Sequence, residues 1–506
     1  MFKAPFVGRS RELEVLDNLW DSPQARLLIL YGRRRVGKTR LLSHWLQQHP
    51  DSGLYWVAEP ASALTQLRSF SQALMSFRNP DVEISPEFSY ASWELAFSEL
   101  AALAKDRRIA MFIDEVTYLI DVDPEFVGTL QKVWDGWLSK SNLMLALAGS
   151  QMGLMRKHLL DYQAPLYGRL TAQIDLPSLP PGTIKEYFPD YSPAERIMLY
   201  AMWGGVPAYW ERLNPDLSIM ENLRQNILPS HAWMIDESRI LLQDFITDLH
   251  NYVGIMRAIA NGQHAISDIS KLTGLTSSKA SFYLSVLRDT GFVARYIPIT
   301  KLGTDTRSGH YSVTDPYLRF FYRFLSAYQS KLALGQMRQT IELLEEELPT
   351  FIQNNTWPEL CRQWVLLASA NDELPVPLEE VGSEWGSRRR KKKRVSYRFD
   401  VAGIGSDEKG AALVLGDCYW TPDAPKGPKA IHELVRKTDY ITLRRDDAIS
   451  IYYTLFAAGG WSDKARAEAE RITGEFEASG GQKFNIVGIR LLDLIEVDND
   501  LVRWSV

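Results

Sequence analysis

Cysteine is almost missing: Cys361 and Cys418 are the only two in 506 residues. Two thiols exclude a disulfide framework and a four-cysteine zinc site, so a reducing cytoplasm is the expected compartment. The eight histidines show no metal-binding spacing. No uninterrupted apolar run approaches the ~18 residues that span a bilayer, and no membrane partner is expected. The opening Met1-Phe2-Lys3-Ala4-Pro5-Phe6 lacks the apolar core of a secretory signal. A dominant charge is also lacking. The net charge is −5, so any nucleic-acid contact must come from a local patch rather than a global field. There is no tandem repeat of fixed period. The scattered aromatics read as core and domain contacts. What remains is an ordinary globular composition, long enough for about three or four domains.

The chain does have one sharply defined loop. The apolar run Leu27-Leu28-Ile29-Leu30-Tyr31 leads into Gly32-Arg33-Arg34-Arg35-Val36-Gly37-Lys38-Thr39, and Arg40-Leu41-Leu42-Ser43-His44-Trp45-Leu46 follows with helical character. Strand, G-x-x-x-x-G-K-T, helix is a phosphate-binding loop in its proper context. Its glycines let backbone N–H groups close around phosphate oxygens, and the helix N-terminus adds partial positive charge. Residues Gly32 to Arg40 are therefore the expected nucleotide cradle. Lys38 is expected to reach the β- and γ-phosphates, and Thr39 to hold Mg²⁺.

A second apolar strand, Ile109 to Ile113, ends in Asp114-Glu115. Asp114 is the expected second Mg²⁺ ligand, and Glu115 the general base for the attacking water. A third strand, Leu143 to Gly149, ends in Ser150. A small polar residue at that edge of an open α/β sheet faces the ligand crevice. Ser150 is either a phosphate or water sensor or a plain polar turn.

In chain order, Phe6-Val7-Gly8-Arg9-Ser10-Arg11-Glu12-Leu13, the phosphate loop, Ile113-Asp114-Glu115, Gly149-Ser150, Pro165-Leu166-Tyr167-Gly168-Arg169 and Gly204-Gly205-Val206-Pro207 resemble the AAA+-related P-loop ATPases. The likeness is specifically to the archaeal and bacterial family that carries the archaeal ATPase domain. The resemblance implies ATP and Mg²⁺ as cofactors. It implies that Gly8 and Arg9 lie on the adenine side, and that Pro207, in a helical lid, packs against the base or ribose. Arg169 becomes a candidate arginine finger or sensor, in cis or across a subunit interface; a surface salt bridge is the other reading.

Residues 181–250 read as helical, with Ser192-Pro193-Ala194-Glu195 as a capped helix start. Residues 251–330 read as a winged helix. A helix at 253–260, a short helix at 267–273, a turn at Gly274 and a third helix at 276–290 precede two strands around a polar wing. Ser277, Ser278, Lys279, Lys301 and Arg307 could contact DNA phosphates. A structural arm between domains is the equal alternative.

Asp315-Pro316-Tyr317-Leu318-Arg319-Phe320 resembles the bridge into the C-terminal domain that accompanies this family, and that domain resembles the PD-(D/E)XK nucleases. The resemblance implies a metal site from Glu359, Asp400 and Asp417. Tyr419 stands where the family has lysine, and a neutral phenol supplies no fixed cation; Lys426, Lys429 or Lys437 would have to substitute. A degenerate binding fold is the preferred expectation over a working nuclease. Seven consecutive cations, Arg388 to Arg394, are either a solvated loop or a phosphate-binding patch.

The expected architecture is α/β. A P-loop NTPase core with a parallel sheet (1–180) is followed by a helical lid (181–250), a winged helix-turn-helix (251–330) and a restriction-endonuclease-like domain (335–506). The expected function is an ATP-driven switch acting on DNA, with homo-oligomers a further possibility. The rivals are a signalling ATPase that recruits proteins and an ATP-gated endonuclease.

Overall fold

The structure is a computed structural model and describes residues 5–229, 232–243, 249–302, 309–390, 393–408, 410–441, 449–477 and 483–505. Five strands, β1 (Arg26–Tyr31), β2 (Gly53–Val57), β3 (Ile109–Asp114), β4 (Leu143–Gly149) and β5 (Ala172–Asp175), form one parallel sheet. Their order is β2-β3-β4-β1-β5. Strands in such a sheet are covered on both faces and read as unbroken apolar runs; β3 and β4 are buried along their whole length. The two-residue side-chain period sorts them onto two cores. Leu27, Ile29, Met111, Ile113, Leu145 and Leu147 pack with the helices Ala63–Arg78 and Trp93–Asp106. Leu28, Leu30, Phe112, Ala146 and Ala148 pack on the other face with Trp45 of the helix Lys38–Leu46. Small alanines on that face make room for the indole.

Short helices occupy residues 184–243. One of them, Pro193–Trp203, starts at a full capping box between Ser192 and Glu195. The helices Leu249–Ala260, Ile266–Thr273 and Ser277–Asp289, with β6 (Val293–Tyr296) and β7 (His310–Val313), make the helix-turn-helix and its antiparallel wing strands. The Gly274 turn takes a left-handed backbone, φ +71°, which glycine adopts without Cβ strain. Wing residues 303–308, Arg307 among them, lie outside the described residues.

The C-terminal sheet is mixed. β8 (Leu378–Arg390), β9 (Lys393–Asp407) and β10 (Gly410–Gly416) run antiparallel; β11 (Cys418–Tyr419), β12 (Ile449–Ala457) and β14 (Lys483–Asp493) are parallel; β13 (Gly474–Glu477) closes the edge antiparallel to β14. Of the basic run, Arg388 and Arg394 have described side chains and lie on the paired strands β8 and β9; the side chains of residues 389–393 lie outside the described set. One hydrophobic core runs from Val7 through the 184–243 helices, the winged helix and the Pro316–Phe320 helix to Trp357, Trp364 and Val414. The helix Leu494–Arg503 returns to the Pro193–Trp203 helix, where Arg196 pairs with Asp498 in a buried two-pronged ion pair. No helix among the described residues is long and apolar enough to cross a membrane.

Candidate nucleotide site

β1 ends at the glycine loop, β3 ends at Asp114, and β4 ends between them in the strand order. Three carboxyl ends therefore share one edge of the sheet, where ligands of open α/β sheets bind. Gly32 and Gly37 take φ +150° and +103°. A Cβ on Gly32 would come within 2.6 Å of the Leu176 carbonyl, so this turn is closed to every other residue. The Lys38 ammonium, only 5 % exposed, donates to the carbonyls of Gly32 (2.9 Å) and Arg33 (3.1 Å).

The Thr39 hydroxyl donates to Asp114 at 2.6 Å, and the Tyr55 phenol donates to the same carboxylate oxygen. Burial, then the Asp114 charge, pushes the Tyr55 phenol well above its ordinary value, so it remains a donor. Glu115 sits at φ +50°, a strained conformation for a residue with a Cβ. Its carboxylate accepts from the Ser150 hydroxyl at 2.8 Å. The structure thus brings together Lys38, Thr39, Asp114, Glu115 and Ser150. Sequence reasoning missed Tyr55, because a partner on a neighbouring strand leaves no local motif.

The loop arginines reach outward. Arg33 pairs with Asp315 and donates to the Tyr209 hydroxyl at 2.9 Å. Arg34 donates to Tyr118. Arg35 is left-handed, φ +71°; its guanidinium pairs with Glu237, which is buried, and lies 4.2 Å from the Trp233 ring centre. Arg40 pairs with Glu211. Asp315 uses its second oxygen to cap the Pro316–Phe320 helix, accepting from Leu318 N–H at 2.8 Å. Asp315 stood in the sequence as part of a bridge and Tyr209 at the end of the G-G-x-P segment; Glu237 carried no signal at all.

Arg9 is buried and donates to the carbonyls of Val36 (2.9 Å) and Pro177 (2.7 Å), bracing the loop from behind. Burial lowers its pKa, against the pull of Glu12. Gly8, at φ +63°, packs on Thr183. Arg9, Val36, Gly37, Arg40 and Pro207 line one small cavity together. Gly205 lies backbone to backbone on Leu179, whose N–H donates to the Gly205 carbonyl at 2.7 Å.

The family described as "ATPase domain predominantly from Archaea" matches residues 6–213. An uncharacterised ATP-binding protein of Methanocaldococcus jannaschii is 55 % identical over 42 residues, which are 8 % of this chain and 71 % of that one. The chain belongs to this archaeal ATPase family. A second uncharacterised protein of the same organism is 25 % identical over 451 residues, 89 % of the ATPase described here and 95 % of the relative. Residues 253–295 of the ATPase match the arsR-family bacterial regulatory helix-turn-helix. Residues 321–429 match archaeal and bacterial proteins of unknown function. Among solved structures, a Walker-type ATPase of Pyrococcus abyssi superposes with a TM-score of 0.48 at 20 % identity, covering 62 % of this chain and 95 % of that one.

Two expectations are corrected. Arg169 lies in the turn before β5, beside Thr171, which bonds Leu27 at the beginning of β1. The glycine loop leaves the other end of that strand, about 13 Å away at strand rise. Arg169 pairs two-pronged with Asp135. Within its own chain it is a salt bridge at the opposite edge of the sheet, not a finger.

The triad Glu359, Asp400 and Asp417 is the second correction. Among the described residues no three His, Cys, Asp or Glu side chains converge to hold a metal. Glu359 is paired with Arg319 at 2.8 Å, Asp400 with Arg398 at 3.1 Å, and Asp417 with Lys437. Each carboxylate has its own internal cation. Burial pushes the Asp417 carboxyl above the ordinary range, with Lys437 pulling it back. Of the three lysines that could substitute for the family lysine, Lys437 reaches Asp417, whereas Lys426 lies over the Tyr419 ring.

Proposed function

We propose that this ATPase is a nucleotide-dependent switch whose phosphate loop reports its own occupancy to the winged helix and the C-terminal domain. The site fits a magnesium–nucleotide: the glycine turn admits no Cβ, the Asp114 and Thr39 oxygens suit a hard cation, and the Arg33 Nε is buried without a partner. Magnesium bound with the nucleotide would neutralise charge on the terminal phosphates. Lys38 exchanges its loop carbonyls for phosphate oxygens. Thr39 and Asp114 hold the cation. Glu115 orients the attacking water and takes its proton, and Ser150 fixes the Glu115 carboxylate. Gly8, Arg9 and Pro207 border the base.

One observation carries the switch. Arg33 and Arg35 belong to the loop, but their partners Asp315 and Glu237 belong to the segments beyond it. Arg35 holds a left-handed backbone that costs about 1–2 kcal/mol, and phosphate entering the loop competes for both guanidinia. A change in the loop therefore strains or frees the helices Trp233–Gln243 and Pro316–Phe320.

DNA is the proposed partner of the winged helix. Ser277, Ser278 and Lys279 at the start of the third helix are exposed, where phosphate contacts would form. A protein-recruiting switch is the second reading. It is favoured by the buried Glu384 of β8, which accepts from Thr300 N–H (3.1 Å) and hydroxyl (3.0 Å) and so ties the wing to the C-terminal sheet as an arm.

The test has three parts. Lys38→Ala should lower ATP turnover by roughly 100-fold or more, since interactions made only in the transition state are lost; unchanged turnover refutes the site. Amide hydrogen exchange at 233–243 and 316–320 should rise when ATP binds, and exchange indifferent to ATP refutes the coupling. Binding to duplex DNA across a salt series separates the two partner readings.

A further inference from the structure

Two adjoining cavities, about 280 and 100 Å³, open between the winged helix and the C-terminal domain and share His264, Asn354, Asn355 and Arg398. Together they fall in the ~300–1,000 Å³ range of small-molecule sites. Their lining includes Arg319, Arg323, Arg362 and Arg398 against two carboxylates, Glu347 and Glu359. Both carboxylates are already paired, with Arg323 and Arg319.

Arg319 is 6 % exposed, and its Nε has no hydrogen-bond partner. A buried, unpartnered guanidinium N–H is costly unless an acceptor reaches it. Arg362 spends one nitrogen on the Asp400 carbonyl (2.9 Å). Arg398 binds the Asp400 carboxylate through Nε. His310 is held below the usual imidazole value, chiefly by burial and further by the neighbouring His264 and Arg398.

An aromatic surface borders the charge. His310 stacks on Trp385, ring centres 4.6 Å apart and 15° from parallel. Tyr296, which lines the same cavity, is 45 % exposed. Guanidinium groups beside aromatic faces suit a phosphate ester that carries a base. The volume admits one nucleotide and not a duplex.

We propose that this cleft binds a single nucleotide unit, a phosphate with its base, taken from a single-stranded nucleic acid, and holds it by arginine rather than by metal. It deepens the DNA reading given above by naming the strand state and the site. The same chemistry could come from a free mononucleotide.

The experiment uses the full-length protein with fluorescein-labelled oligo-dT, in EDTA and then in Mg²⁺, over a salt series, with dTMP and an unlabelled duplex as competitors. The double variant Arg362→Gln, Arg398→Gln is compared with the unaltered protein. We expect the variant to bind at least 10-fold more weakly. Its salt slope should be shallower by about 0.7, the value for the one single-strand phosphate that the cleft no longer neutralises. EDTA should not alter binding. Displacement by millimolar dTMP with the same loss in the variant identifies the free nucleotide as the source; resistance to dTMP identifies the strand.

Unchanged binding in the variant, a requirement for Mg²⁺, or preferential displacement by duplex overturns the proposal. ATP turnover is measured in parallel. Normal turnover in the variant shows that it is folded, and separates failure of the cleft from failure of the nucleotide switch. If turnover collapses, the single variant Arg362→Gln replaces the pair and decides by the same slope.

Discussion

Two sheet edges in this molecule carry strand-end aspartates, and they treat them in opposite ways. At the end of β3, Asp114 is met by the hydroxyls of Thr39 and Tyr55. After β10, Asp417 is buried against Lys437, with Asp400 and Glu359 likewise claimed by Arg398 and Arg319. A carboxylate that faces neutral donors keeps its charge for a cation from outside. A carboxylate with an internal ammonium or guanidinium is already neutralised, and a divalent ion would have to evict the partner. The sequence motif D-at-a-strand-end is the same in both places; the chemistry is decided by what stands opposite.

The sharpest way to break this contrast is at the base. Glu115→Gln keeps shape and removes the proposed proton acceptor. ATP turnover should fall by about 10²–10⁴-fold, with nucleotide binding retained by calorimetry, while Asp417→Asn leaves turnover within a few-fold. Equal effects at both sites would erase the distinction.

Next is the metal. Asp114→Asn should weaken Mg²⁺-dependent nucleotide binding by about tenfold or more, on the scale of a lost charged ligand. Asp417→Asn should leave metal uptake unaltered, and metal loss on altering Asp417 would restore the nuclease-like reading.

The last effect is in stability. Lys437→Met strands a buried carboxylate, a loss of about 3 kcal/mol for one half of a buried pair, read by denaturant melts. Its pH dependence has a definite sign. An acid whose folded pKa is raised binds its proton more tightly when folded. Its contribution is fully present below the unfolded value near 4 and is lost as pH rises through the folded one. Asp417 already lies on the raised side. The variant, without the opposing lysine, should destabilise more steeply with rising pH than the native protein, and a flat difference would contradict the pairing.

Local signals were legible and distant ones were not. The glycine loop, the β3 and β4 strands and the Ser192 cap depend on residues next to each other in the chain, so period and motif exposed them. The helix-turn-helix was legible for the same reason. Tyr55, Glu237, Asp315 and Tyr209 act on residues far away in sequence, and no periodicity encodes that. For Arg169 the salt-bridge alternative is the one found within the chain, because a family motif names a residue type but not the end of the strand on which it falls. The C-terminal triad, expected more as a degenerate site than a working one, shows a related limit. The three acids are where the likeness puts them in the chain, but Arg319 of the bridge motif and Lys437, one of the substitute lysines, pair with two of them.

Asp315 divides its two oxygens between unlike tasks: one starts a helix, the other grips a loop. An asparagine there would keep the oxygen toward Leu318 and lose the charge toward Arg33. Such a chain would retain its architecture yet grow deaf to its own fuel, so that at this one position shape and communication can be pulled apart.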